Sequence, residues 1–235
     1  MDGQRAIRKR TLVAEHVAGL SFVDIGGLWG TNGEMVTTAA AAGASRTAMA
    51  DVQPLGGVWW KRFEERCAER GVSGYDEVRV DICASDAPET LGRFDFVHCS
   101  GVMYHVPDLV GFVGNLISVA DRYLLLSSVV MPEELHTSSG SLVFGPDNAY
   151  LAPLLDGRNR EVVLDHLREN DLKAAGLTDD QPFFTGGRPR FGPWWWLFSG
   201  TFMSRLLRMH GLEVLAEGPS PNGHAHTVFA RVPQV

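Results

Sequence analysis

The stretch LSFVDIGGLWG, residues 20–30, is a short apolar run that reaches Asp24 and then turns on Gly26, Gly27 and Gly30. It reads as a buried strand over residues 20–25 feeding a tight turn, because glycine lets the backbone reverse sharply and lets a ligand approach it closely. An Ala-rich helix then runs to about residue 42, where Gly43 stops it. The same unit recurs downstream. Residues 46–51 give a second strand closed by Asp51, and residues 58–70 a helix with Trp59, Phe63 and Cys67 at helical spacing before Gly71. EVRVDI (77–82), FDFVHC (94–99) and YLLLSSVV (123–130) supply three more strands, with a helix over 107–120 between the last two. A helix over residues 7–18 precedes the series. Strand and helix alternating at this pace predict an α/β fold, a doubly wound, mostly parallel sheet with helices on both faces.

The rhythm breaks after residue 130. Residues 131–193 are rich in Gly, Pro, Ser and Asp and carry one helical piece near 160–169. An insertion at about 131–198, covering the substrate side of a single 1–235 domain, is expected. A last helix over 200–210 leads to strands at 212–216 and 226–232. With GPSPNG (218–223) between them, they predict a C-terminal antiparallel hairpin.

A chain of 235 residues with 45% hydrophobic and 21% charged residues can bury one full core. A net charge of −7 argues against a nucleic-acid partner, which normally meets excess Lys and Arg. The cluster Arg5, Arg8, Lys9 and Arg10 reads as a solvated face of the first helix. Cys67, Cys83 and Cys99 are scattered, with neither metal-ligand nor disulfide spacing. The first residues lack a signal-peptide core, and no apolar run reaches membrane-spanning length. A cytoplasmic protein without a membrane partner is expected.

In an open parallel sheet, ligands bind beyond the carboxyl ends of the strands, at the point where strand order reverses. Those ends carry Asp24, Asp51, Asp81 and the segment 99–105. Asp51 stands 21 residues after Gly30, near the spacing at which an acid accepts from a ribose hydroxyl. Leu28 and Trp29 break the GxGxxG pattern that a dinucleotide pyrophosphate needs. A nucleoside cofactor without phosphates fits better.

The order DIGGLWG, AMADVQP, VRVDI and FDFVHCSGVMYHVPD resembles the motif series of class I, Rossmann-like S-adenosylmethionine (SAM)-dependent methyltransferases, over about residues 20–130. The GVxYHxPD segment is the most specific part. The family's commonest loop is DxGxGxG, and here Leu28 replaces the middle glycine. The resemblance implies SAM as cofactor. It implies that Asp24 and the backbone of Gly26, Gly27 and Gly30 hold its methionine portion, that Asp51 accepts from the ribose hydroxyls, and that Val52 packs on adenine. It further implies that Asp81 and the Ile82 N–H meet the adenine edge, and that Cys99, Ser100 and Gly101 line the floor near the sulfonium. Methyl transfer to an O or N of a small molecule, such as a sugar or a secondary metabolite, is the expected reaction.

That displacement needs an aimed nucleophile, excluded water and a proton acceptor. Tyr104 and His105 follow the fourth strand, and His105 is the first candidate for base or substrate orienter; the alternative is a histidine that only binds a loop carbonyl. His224 and His226 begin the last strand on one face, which makes His226 a second candidate. His98, inside its strand, reads as a satisfied core residue. Trp194, Trp195 and Trp196 are consecutive, so at least one is expected to meet substrate, insertion or a partner chain, which leaves a homodimer open. No metal site is expected, since turn chemistry explains Asp147 and Asn148. Two other functions remain: an NAD-type oxidoreductase, and a SAM-binding protein in which Leu28 and Trp29 obstruct transfer.

Overall fold

The computed structural model describes residues 6–30, 34–221 and 223–233. The chain begins with α1 (Lys9–His16) and β1 (Ser21–Ile25) and continues through α2 (Val36–Ala41), β2 (Arg46–Asp51), α3 (Val58–Glu69) and β3 (Asp76–Arg79). Next come α4 (Ala87–Leu91), β4 (Phe94–Ser100), α5 (Leu109–Val119) and β5 (Ala120–Val129). Residues 130–199 hold β6 (Glu134–Thr137), β7 (Gly140–Val143), β8 (Ala149–Leu151), α6 (Gly157–Glu169), β9 (Phe184–Thr185), β10 (Arg188–Pro189) and β11 (Trp196–Phe198). The chain ends in α7 (Gly200–Met209), β12 (Glu213–Pro219) and β13 (Ala225–Arg231).

Seven strands form one sheet in the order β12-β13-β5-β4-β1-β2-β3. β1 to β5 pair in parallel, whereas β13 runs antiparallel to both β5 and β12. The α/β class, the mostly parallel sheet and the antiparallel C-terminal pair are those expected from the sequence. Side chains alternate across each strand, so each sheet face has its own core. Phe22, Met49, Phe96 and Phe229 pack with Val13, Val36, Trp60 and Phe63 under α1, α2 and α3. Val23, Ala48, Val97 and Leu126 pack with Phe112, Leu116 and Met203 under α5 and α7. The buried positions of α5 are Leu109, Phe112, Val113, Leu116 and Val119, an apolar stripe at helical spacing, and Asp108 caps its start by accepting the Gly111 N–H at 2.9 Å.

Boundaries moved where local hydrogen bonding competes with the hydrophobic pattern. α2 begins only at Val36, after Glu34 folds back to accept the Thr37 N–H at 2.9 Å. β3 ends at Arg79, so Asp81 and Ile82 lie in the loop beyond it, where Asp81 Oδ1 accepts the Cys83 N–H at 2.9 Å. At the opposite edge of the sheet, Asp95 Oδ2 accepts both the Ser21 N–H (3.0 Å) and the Ser21 hydroxyl (2.8 Å), and Ser21 Oγ accepts the Asp95 N–H at 2.9 Å. β1 and β4 are thereby locked at their amino ends.

The region 131–198 carries a hydrophobic cluster of its own, including Leu135, Leu142, Phe144, Val162, Leu167, Trp194 and Leu197. All three consecutive tryptophans are drawn inward: Trp194 and Trp195 are buried and Trp196 is half-buried. Of the outcomes expected for them, substrate, insertion or a partner chain, the described residues show the insertion. Trp194 packs in the insertion's cluster, and Trp196 on the sheet's. No helix among the described residues is long and apolar enough to cross a membrane.

Candidate cofactor and active site

β1 lies between β2 and β4, and the chain winds to opposite sides from these neighbours, so the switch point falls at β1 and β4. The registers fix what shares a face there. Asp24 stands opposite Met49 on β2 and His98 on β4. Asp51 and Ser100 are each two residues further along, on the same face and at the same height. The strand tips are therefore adjacent, with Gly26 N–H bonded to Ala50 O at 2.8 Å and Val80 N–H to Asp51 O at 2.9 Å.

Gly26 and Gly30 adopt positive φ (76° and 71°). A Cβ at Gly26 would lie 2.4 Å from Val102 Cγ2, and one at Gly27 2.5 Å from Asp24 Oδ2. Asp24 is fully buried, with Oδ2 accepting the Met35 N–H at 2.8 Å and Oδ1 accepting from His98 Nδ1 at 2.7 Å. It thus joins the glycine turn, the start of α2 and β4. Leu28 is buried in the core, and Trp29 is exposed, its ring stacked on Trp59 at 4.9 Å.

Asp51 is buried at the tip of β2. Its Oδ1 accepts the Gln53 N–H at 3.0 Å, while Oδ2 has no hydrogen-bond partner among the described residues. Burial pushes its carboxyl above the ordinary value, against the pull of the backbone N–H groups of Gln53, Leu28 and Val52. Val52 beside it is exposed. Asn115 of α5 holds the next loop, donating to Ile82 O at 2.8 Å and Ala84 O at 2.9 Å. Ile82 itself is buried in the core.

The Cys99 side chain points into the same core, where burial holds its thiol protonated. Gly101, at φ 77°, turns the chain out of β4, and its N–H meets Ser127 O at 3.0 Å. His98 is buried as expected, yet only half satisfied, because Nε2 has no partner among the described residues.

Tyr104 and His105 sit in a helical turn beyond β4, roofed by the end of the insertion. The Trp195 N–H donates to Tyr104 O at 2.8 Å, and the Trp194 ring lies 4.8 Å from the Tyr104 ring. His105 Nδ1 donates to Pro193 O at 3.1 Å. A carbonyl only accepts, so a neutral ring keeps its lone pair on Nε2. Burial lowers the His105 pKa, opposed by the carbonyls of Pro193 and Gly192.

His226 stands apart, with no hydrogen bond or ring contact to Tyr104 or His105. A Cβ at Gly200 would lie 2.6 Å from its ring, and Nε2 is 4.0 Å from Glu217 Oε2. Burial lowers its pKa, opposed by Glu217 and Glu133.

The basic cluster divides. Arg5 lies outside the described residues, and Arg8 and Arg10 are exposed. Lys9 instead turns inward and donates to Ser100 Oγ at 2.6 Å. α1 lies on the sheet face, with Val13 in its core and His16 against Tyr123 and Phe229, so its first residue reaches the strand tip, which periodicity alone does not reveal.

No protein-family model matches the chain, and no curated protein matches it. Solved structures do. Magnesium protoporphyrin IX methyltransferase from Synechocystis, crystallised with S-adenosylhomocysteine, is 16% identical, with a TM-score of 0.56 over 98% of this chain and 90% of that one. A SAM-dependent methyltransferase from Aquifex aeolicus is 12% identical, with a TM-score of 0.52 over 96% and 90%. Mitomycin 7-O-methyltransferase is 17% identical, with a TM-score of 0.53 over 95% and 54%. The chain has the class I SAM-dependent methyltransferase fold. Within this methyltransferase fold, sequence reasoning missed Lys9, Asn115 and the Pro193 carbonyl. Each acts across more than 30 positions of chain, and no local spacing signals such a contact.

Proposed function

We propose that the protein is a SAM-dependent methyltransferase acting on an O or N of a small molecule. The observation that carries this reading is the buried Asp51 Oδ2 at the tip of β2, which has no partner among the described residues, beside a turn with no room for a Cβ at Gly26 or Gly27. An unmade hydrogen bond on a buried carboxylate is costly, and a ribose diol supplies the missing donor. Val52 would pack on the adenine, Asp81 and the Ile82 N–H would meet its edge, and Asn115 would hold that loop in place. Asp24 would fix the glycine turn that receives the methionine portion, with the backbone of Cys99, Ser100 and Gly101 beneath. Leu28, buried in the core, and Trp29, stacked on Trp59, would leave room for it.

Bound SAM supplies an activated methyl on a positive sulfur. The chain's own task is to aim an acceptor, exclude water and take up a proton. His105 Nε2 would receive the acceptor's proton, because Nδ1 is held by Pro193 and burial keeps the ring neutral. Tyr104 and Trp194 would wall the acceptor site, and residues 131–198 would cover it. Similar folds act on a porphyrin and on mitomycin, which supports a small-molecule acceptor.

Calorimetry tests the reading. S-adenosylhomocysteine should bind and NAD should not, and Asp51→Ala should weaken S-adenosylhomocysteine by roughly 10- to 100-fold, the loss of hydrogen bonds to a charged group. Binding of NAD in its place, or unchanged affinity in Asp51→Ala, would overturn it.

A further inference from the structure

Lys9 opens α1, yet its Nζ lies 2.6 Å from the hydroxyl of Ser100, the last residue of β4 and 91 positions away. Of the three N–H donors on an ammonium, that bond uses one. No carboxylate lies within ion-pair distance of Lys9 among the described residues; the nearby Asp24 already accepts from Met35 and His98. A half-buried cation whose one hydrogen bond among the described residues goes to a neutral hydroxyl is poorly compensated, since burial costs it more hydration than the shared charge of Asp24 returns.

Its place in the sheet says what the counter-charge is. Asp51 and Ser100 stand at one height on the two strands that flank β1. They are separated by two interstrand spacings, about 10 Å. If Asp51 takes the ribose, the remainder of the cofactor runs across the glycine turn toward Ser100 and ends in an α-carboxylate. The adenine, on the β3 side of Asp51, lies the other way. We propose that Lys9 is the anchor for the cofactor's α-carboxylate and that α1 closes over the aminoacyl arm. This rests on the SAM reading, and it adds a charged contact that the motif series does not contain.

Two ligands separate the possibilities. S-adenosylhomocysteine carries the carboxylate, and 5′-methylthioadenosine keeps the nucleoside and sulfur but lacks the amino acid. Calorimetry on Lys9→Met should show a loss of roughly 10- to 100-fold for S-adenosylhomocysteine. Affinity for 5′-methylthioadenosine should change less than about twofold, and Lys9→Arg should recover part of the loss. Asp51→Ala is the contrast and should weaken both ligands. Unchanged S-adenosylhomocysteine binding in Lys9→Met, or an equal loss for both ligands, would overturn the Lys9 proposal alone. Wild-type protein that binds neither ligand would overturn the SAM reading, and this proposal with it.

Discussion

His105 shows how one hydrogen bond sets a side chain's chemistry. The Pro193 carbonyl accepts from Nδ1, so the lone pair of the neutral ring is confined to Nε2. Burial favours that neutral form, so the folded pKa lies below the ordinary value of about 6.5. If Nε2 takes the acceptor's proton, turnover is complete at neutral pH and falls as pH drops through a midpoint below 6.5. A pH–rate profile of His105→Ala should lose that acid limb, with a drop of about 10²- to 10⁴-fold in rate and little change in S-adenosylhomocysteine affinity. Loss of thermal stability with turnover intact would make His105 structural. The same depressed pKa bears on folding. Above 6.5 the ring is neutral in both states, whereas below it the unfolded chain binds the proton first, so the contribution to stability is lost as pH falls.

Between elements, close packing explains positions that residue types alone leave blank. Gly200 opens α7 directly against the His226 ring, at a distance that no Cβ tolerates. Gly200→Ala should lower the melting temperature by roughly 3–10 °C through overpacking. Adding His226→Ala should restore part of the loss, the non-additivity expected of residues in contact. Helices and strands of this kind were legible where a whole amphipathic turn or a full alternation is present: β1, β2, β4 and α3 follow the apolar pattern closely. The five-residue α4 was not, because it spans too few positions for a period to register. The acids at the strand tips could be read because each ends an apolar run and precedes a turn. Lys9, Asn115 and the Pro193 carbonyl could not, since their roles depend on which elements the topology stacks at one edge. His98 was read correctly as buried, but its unpartnered Nε2 depends on a register that only the assembled sheet defines.

Across the whole molecule, the sheet and the insertion hold separate cores joined at Tyr104, which packs against both. Asp165 ties the insertion together, accepting from the hydroxyls of Ser138 (2.9 Å) and Ser139 (2.6 Å) and from Arg168 Nη1 (2.6 Å). These bonds hold its carboxyl below the usual range, led by those from Ser139 and Ser138. Asp165→Ala should therefore speed hydrogen exchange across residues 134–169 while leaving S-adenosylhomocysteine affinity within about twofold, because the residues proposed to hold the cofactor lie on the sheet and not in the insertion. Weaker cofactor binding in that variant would show that the two cores act as one. The Ser21–Asp95 lock lies at the far end of the two strands that wall this crevice. Riveted at the heel and laddered along their length, β1 and β4 form a stiff two-pronged fork. Parting the prongs at the heel would cost the Ser21–Asp95 hydrogen bonds. On the proposed reading, entry of a cofactor would fall to the two pieces that meet the chain near the tip of β4, the start of the helix that carries Lys9 and the segment around Pro193.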